Sequence, residues 1–114
     1  MGLRKVRHGG GESERRVMNQ FFDELGRRWV AGARRREATI EEPALDARVA
    51  LELLELARVA AHTRERRFAP LSCYMAGVAA ERLRTAKPDL DDGAVAEYIN
   101  EIRLELEAET PEAP

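Results

Sequence analysis

Apolar residues recur at helical spacing in four segments of the chain. At about 100° per residue, the apolar side chains of the first segment fall within one narrow arc, which is typical of an amphipathic helix. We expect this helix to begin near Ser13, a suitable N-cap, and to end between Gly26 and Arg36, because glycines weaken its second half. Its apolar face is rich in aromatic rings and consists of Met18, Phe21, Phe22, Leu25 and Trp29.

The second segment follows a linker at residues 38–42, and Pro43 is well placed in its first turn. Its apolar arc covers roughly half of the helix circumference. A helix with so wide an arc is expected to lie centrally and to contact more than one neighbour. The centre of the arc is formed by Leu45, Val49, Leu53, Leu56 and Ala60.

The third segment opens at Pro70 and stops before Pro88, and it has almost no polar side. One face is bulky and is made of Leu71, Tyr74, Met75, Val78 and Ala79. The other face is made of small residues, which let another backbone come close. We expect this small-residue face to be an interface, either with the second helix or with another chain; its members are Cys73, Ala76, Gly77 and Ala80.

The fourth segment begins in the stretch DLDD, where Asp89 or Asp91 is expected to cap a helix. Its apolar stripe has heptad-like spacing and consists of Val95, Ile99, Ile102 and Leu106. The opposite side carries Glu97, Glu101 and Glu105, like charges four residues apart, which are expected to face cations or open water.

These segments predict an all-α fold, either a small four-helix bundle or an orthogonal helical array. The second and third helices are expected to form its core, with the first and fourth laid over it. The domain is predicted to span residues 13–108, between a flexible basic arm at residues 1–12 and a disordered acidic tail at residues 109–114.

Composition supports the helical prediction and adds an uneven distribution of charge. Ala, Leu, Glu and Arg dominate the 114 residues, and all four favour helices. Residues 1–36 hold ten basic and four acidic residues, a net charge of +6, whereas residues 37–114 hold nine and seventeen, a net charge of −8. The two parts are predicted either to attract each other, within the chain or between copies, or to be ordinary solvated faces.

The residues that could carry chemistry are few. His62 has no nucleophile or acid at a suitable spacing, and Cys73 is the only cysteine, lying in an apolar run. We therefore predict no catalytic residues, no metal site and no cofactor. The single cysteine and the absence of a long apolar run favour a cytoplasmic protein without a membrane anchor, and the acidic body disfavours nucleic acid.

One charged feature is more distinctive than these single residues. It is a cationic corner between the second and third helices. Arginines crowd the end of one helix just before Pro70 begins the next, and free N–H groups at a helix start attract anions. The corner either docks a phosphate or carboxylate, or only complements the negative end of the second helix. Its candidate binding residues are Arg58, His62, Arg64, Arg66 and Arg67.

The same stretch carries a family resemblance. Residues 54–77 read LELARVAAHTRERRFAPLSCYMAG, and residues 21–26 read FFDELG. Between Val17 and Glu107 the chain resembles a family of small actinobacterial domains of unknown function. The residues that match the family's pattern are Leu53, Leu54, Leu56, Ala57, Arg58, Ala61, His62, Arg66, Ala69, Pro70, Leu71, Tyr74 and Gly77.

Members of that family occur alone or fused to the C-terminus of a molybdenum cofactor guanylyltransferase. The resemblance therefore implies an accessory role near maturation of the molybdenum cofactor, and it brings no catalytic residues with it. The chain departs from the family in its basic arm and in a longer link between the first two helices. We expect a non-enzymatic module that binds a protein partner or a second copy of itself, the alternative being a small anion- or cofactor-binding domain.

Overall fold

The computed structural model describes the backbone of residues 2–109 and the side chains of residues 19–109. Over this range the chain forms α-helices and no strand, which confirms the predicted all-α class. The chain divides into two compact units, Met1–Leu45 and Asp46–Pro114, where the sequence predicts one domain over residues 13–108. The four helices are α1 (Gly2–Arg35), α2 (Ala47–Thr63), α3 (Phe68–Ala86) and α4 (Asp92–Ala108).

Helix α1 starts earlier than predicted and ends at Arg35, within the predicted range from Gly26 to Arg36. It begins at Gly2 and not near Ser13, so the predicted arm of residues 1–12 lies, from Gly2 onward, within the helix. Glycine costs about 1 kcal/mol relative to alanine inside a helix, which weakens a helix without forbidding it. Of the predicted tail, residues 110–114 lie outside the described residues.

Gly26 has a packing role in α1 instead of ending it. The residue is buried, and a Cβ atom placed there would lie 2.7 Å from the carbonyl oxygen of Pro43. The segment that follows α1 therefore returns along the helix and approaches its backbone at this position. A residue larger than glycine would push that segment away.

The end of α1 is closed by the hydrogen bonds of a Schellman motif. The N–H of Ala38 donates to the carbonyl of Ala33, and the N–H of Glu37 donates to the carbonyl of Arg34, each at 2.9 Å. Glu37 sits at the left-handed position of the motif with a φ of 63°. Glycine is the usual residue there, because a side chain costs about 1–2 kcal/mol in that conformation.

Helix α2 begins at Ala47, later than the predicted start around Pro43. The Asp46 carboxylate accepts hydrogen bonds from the N–H groups of Arg48 at 2.9 Å and Val49 at 3.0 Å. This cap satisfies two of the free N–H groups of the first turn and so fixes the start. Pro43 is left in the segment that contacts Gly26. Helix α4 is capped in the same way by Asp91, one of the two predicted caps.

The core of the Asp46–Pro114 unit lies along one side of α2. Helices α3 and α4 both pack against α2 but touch each other only slightly. Val95 is the most deeply buried large residue, at 1% exposure, and Leu56, Ala80 and Ile99 surround it. The wide apolar arc predicted for this helix is therefore used by two neighbours. The core was expected between the second and third helices, but α4 contributes more to it than α3 does.

We expect Glu37→Gly to stabilise the end of α1, because glycine removes the cost of the left-handed backbone without losing either hydrogen bond. Hydrogen exchange of the Glu37 and Ala38 amides should slow by the equivalent of about 1 kcal/mol. Glu37→Ala is the matched control, since it removes the same side chain and keeps the Cβ atom. Equal exchange rates in both variants would contradict this account of the helix end.

Candidate functional site

An apolar trough lies between α3 and α4 in the Asp46–Pro114 unit. Because these helices share α2 and barely touch each other, a space of about 390 Å³ stays open between them. Leu56 of α2 and Ile99 of α4 form its floor, and its polar lining is limited to the hydroxyl-bearing Ser72 and Tyr98. The remaining lining residues are Met75, Ala76, Ala79, Ile102 and Leu106.

A second depression continues this trough along α3. It shares Met75, Ala79 and Tyr98 with the first and extends to Ala86. From Ser72 to Ala86 the trough is about 21 Å long at 1.5 Å of helical rise per residue. That length corresponds to roughly four turns of a docked helix.

Large side chains around the trough are unusually exposed. Tyr74 and Met75 are 74% and 71% exposed, and Leu71 and Ile102 are also open to solvent. A cluster of exposed apolar residues next to a groove is typical of a protein interaction surface. The bulky face predicted for the third helix is thus largely uncovered in this unit.

Helix α4 also carries an acidic row on the side opposite its apolar stripe, which consists of Glu97, Glu101 and Glu105. All three are exposed, and none forms an ion pair with another described side chain. Of the two predicted environments, cations or open water, these carboxylates face open water. On the α3 side, Arg82 lines the extension of the trough.

Ion pairs at the ends of the trough hold its walls in place. The Arg84 Nη2 atom of α3 lies 2.5 Å from the Asp92 Oδ1 atom at the start of α4. This hydrogen bond raises the pKa of Arg84 above its ordinary value. The side chain of Arg103, only 16% exposed, connects α4 to Glu52 of α2 at 4.0 Å and also bonds Glu107 at 2.9 Å. The separation of α3 and α4 is therefore fixed by both apolar and polar contacts to their neighbours.

The cationic corner predicted from the sequence is largely engaged with nearby carboxylates. Arg58 bonds Glu55 at 2.9 Å and lies 3.7 Å from Glu107. The hydrogen bond with Glu55 raises the pKa of Arg58. Two further pairs join Arg64 to Glu109 at 3.9 Å and Arg67 to Glu65 at 2.7 Å. His62 is exposed in the last turn of α2, and Arg66 forms no ion pair within the described part of the chain.

The start of α3 has few free N–H groups with which to bind an anion. The helix begins at Phe68 and not at Pro70, which occupies its third position. The N–H of Phe68 donates to the carbonyl of Glu65 at 2.9 Å, and the N–H of Ala69 donates to that of Arg66 at 3.1 Å. Pro70 has no N–H group. The first three residues of α3 therefore have no free donor to point at a ligand.

The small-residue face is divided between contacts with α2 and solvent. Ala80 is buried in the core and Ala76 packs against it, so both are used within the chain. The Cys73 thiol donates to the carbonyl of Leu53 in α2 at 3.6 Å. Gly77 is exposed, and an added Cβ atom there would meet nothing within 4 Å. Only Gly77 among these four residues faces open solvent.

The described residues form neither a metal site nor a membrane-spanning helix. No group of three or more His, Cys, Asp or Glu side chains among residues 19–109 is arranged to hold a metal ion. In the same part of the chain, every helix is too short or too polar to cross a membrane.

The trough itself is a site that sequence reasoning did not name. Ile102 belongs to the heptad-like stripe of α4, yet it is 45% exposed and lines the trough. The signal that could have revealed it is the excess of apolar surface. Helix α3 and helix α4 each carry a wider apolar arc than one shared neighbour can cover.

We expect Cys73 to react slowly with thiol reagents in the folded chain. Burial raises the pKa of its thiol, so less of the reactive thiolate is present at a given pH. At pH 8 the reaction with a disulfide reagent should be about tenfold slower than in the same chain unfolded by urea. Equal rates in the two states would show that the thiol is accessible and unperturbed.

We expect Gly77→Ala to raise the free energy of unfolding by about 0.5–1 kcal/mol, because the added methyl group meets open space and alanine favours helices. Gly26→Ala is the control and should lower that free energy, since its Cβ atom would lie 2.7 Å from the backbone carbonyl oxygen of Pro43. Chemical denaturation measures both. A loss of stability in Gly77→Ala would instead indicate that a second chain approaches the helix closely at this position.

Comparison with known proteins identifies the family but no activity. Neither the curated proteins nor the solved structures contain a significant match to this chain. Residues 15–113 match the family described as a domain of unknown function, DUF6457. The match extends over the trough, the acidic row of α4 and the cationic corner. The chain therefore belongs to the DUF6457 family.

Proposed function

We propose that this chain is a non-enzymatic, cytoplasmic accessory module that binds a helix of a protein partner in the trough between α3 and α4. The observation that carries the proposal is the trough itself, an apolar channel about four helical turns long with exposed large side chains along its edge. An amphipathic helix that lays its apolar face into such a groove is a recurrent mode of recognition.

The lining defines the chemistry of the partner helix. Between α3 and α4, Ser72 and Tyr98 carry the only polar side chains that line the space of about 390 Å³. A helix with a continuous apolar face therefore complements the channel.

The process in which the module takes part is proposed from the family resemblance. The residues that carry the resemblance, within 53–77, form most of α2 and the first half of α3, which supply the floor and one wall of the trough. Relatives fused to a molybdenum cofactor guanylyltransferase would hold this surface next to that enzyme. We propose an accessory role in maturation of the molybdenum cofactor in an actinobacterium, with the guanylyltransferase as the protein partner.

The alternative, a small anion- or cofactor-binding domain, has less support from the geometry. Arg58, Arg64 and Arg67 are paired with carboxylates, and the first three residues of α3 have no free N–H group to add. A phosphate at this corner would have to displace existing ion pairs. The trough needs no such rearrangement.

The purified chain should bind a molybdenum cofactor guanylyltransferase from the same organism, measured by calorimetry or biolayer interferometry. Ile102→Asn should weaken this binding at least about tenfold, because it places an amide in the apolar channel; a tenfold change corresponds to about 1.4 kcal/mol. Ile102 is already 45% exposed, so the fold should tolerate the substitution.

Leu104→Asn is the matched control, because Leu104 lies on the same helix, is 50% exposed and does not line the trough. Its affinity for the enzyme should equal that of the unmodified chain. Absence of binding would exclude the guanylyltransferase as the partner. Binding that both variants weaken equally, or that neither affects, would exclude the trough as the docking site.

A further inference from the structure

The trough has one charged end. Among the described residues that line its two depressions, Arg82 of α3 is the only charged one, and it lines the second depression together with Tyr98. This depression extends towards the turn at residues 87–91, which joins α3 to α4. The opposite end of the trough has only the neutral hydroxyl of Ser72. The two ends therefore differ in charge, although the channel between them is apolar.

Arg82 continues the row of side chains that forms the α3 wall of the trough. It lies seven residues after Met75 and four after Val78, so these three residues share one face of the helix. Side chains in an α-helix lean towards its N-terminus, and Arg82 therefore extends along the wall that it lines. From Ser72 to Arg82 the helix rises about 15 Å. A helix docked along the whole trough meets Arg82 near one of its ends.

Two carboxylates near this end of the trough are engaged by a different arginine. Glu81 lies 3.9 Å from Arg84, and Asp92 accepts a close hydrogen bond from the same guanidinium. Arg82 forms no ion pair with any side chain of residues 19–109. Its charge is therefore available to an anionic group of another molecule.

A helix that covers the second depression removes water from Arg82. A charge that loses its water without gaining an opposite charge opposes binding, whereas a carboxylate placed against it compensates the loss. Arginine also holds a carboxylate through two parallel hydrogen bonds, which fixes the position of both groups. An apolar channel accepts a helix in either direction, so the charged end decides between the two.

We infer that Arg82 selects the partner helix, and that this helix carries an aspartate or glutamate at the end that lies against the turn between α3 and α4. The inference rests on the proposed function of the trough and specifies the chemistry and the direction of the bound helix. The apolar lining supplies the area of contact. Arg82 fixes the register of the helix and excludes helices with lysine or arginine at the same position.

The affinity of the full chain for the molybdenum cofactor guanylyltransferase, measured by calorimetry, tests this role. Arg82→Glu should weaken binding at least about tenfold, because it places two carboxylates together. Arg82→Gln should also weaken binding and should reduce the dependence of the dissociation constant on ionic strength. Arg82→Lys should have an intermediate affinity, since it keeps the charge and loses the paired hydrogen bonds.

Lys87→Glu is the matched control, because it makes the same change of charge just beyond the end of α3. Lys87 is exposed and lines neither depression. Its variant should bind within about twofold of the unmodified chain, since exposed charges are screened by salt. Arg82 is exposed as well, so its variants should fold, and equal midpoints of unfolding in urea check this.

A charge swap identifies the group that contacts Arg82. Aspartates and glutamates at the ends of surface helices of the enzyme are replaced by arginine, one at a time. One of these enzyme variants should bind the Arg82→Glu chain more tightly than it binds the unmodified chain. If no enzyme variant does so, the proposed selection by Arg82 is wrong.

The inference is also overturned if Arg82→Glu binds as tightly as the unmodified chain, or if Arg82→Glu and Lys87→Glu weaken binding equally. The helix-binding role of the trough stands in either case, provided that Ile102→Asn still weakens binding. Absence of any binding by the unmodified chain would remove the proposed function, and this inference with it.

Discussion

The packing of two helices on a single apolar side of α2 is the constraint on which the rest of the Asp46–Pro114 unit depends. Leu56, Val95 and Ile99 exclude water from the contact between α2 and α4, and Ala80 brings α3 against the same side. Burying one such large apolar side chain contributes about 1.5–3 kcal/mol. Because α3 and α4 each pack their apolar contact surface against α2, little apolar surface is left for contact between the two helices. The trough is the direct consequence of this division.

Polar contacts then set how far the two outer helices separate. Arg103 reaches Glu52 across the α2–α4 contact, and Arg84 joins the last turn of α3 to Asp92 at the start of α4. Both arginines are partly shielded from water; the Arg84–Asp92 pair is a close hydrogen bond, whereas the Arg103–Glu52 contact at 4.0 Å is a longer electrostatic one. These pairs fix the walls of the trough without filling it. An apolar channel can remain open in this unit because its walls are held from outside.

The cationic corner and the acidic row of α4 show why charge patterns need a structure to be interpreted. Both are runs of like charge in the sequence, and both could be sites or solvated faces. In the fold, Arg58, Arg64 and Arg67 meet carboxylates from Glu55, Glu109 and Glu65, which neutralise most of the corner. The glutamates of the acidic row meet no described cation. The partner of Arg64 comes from the distant end of α4, so no local pattern could have revealed that pairing.

The sequence by itself determined the helices and most of their faces. Periodicity and composition predict four helices without strands, and Asp91 is recognisable as a cap from residue type alone, because these properties depend on neighbours within one or two turns. Prediction from the sequence was less successful where distant segments meet. Gly26 marks the approach of Pro43 and does not end α1. Helix α2 is capped by Asp46 and begins at Ala47, later than the predicted start around Pro43. Only the tertiary structure decided which apolar faces are covered. Ile99 and Ile102 belong to the same stripe, yet Ile99 is buried and Ile102 is 45% exposed, since burial depends on which neighbouring helix reaches each position.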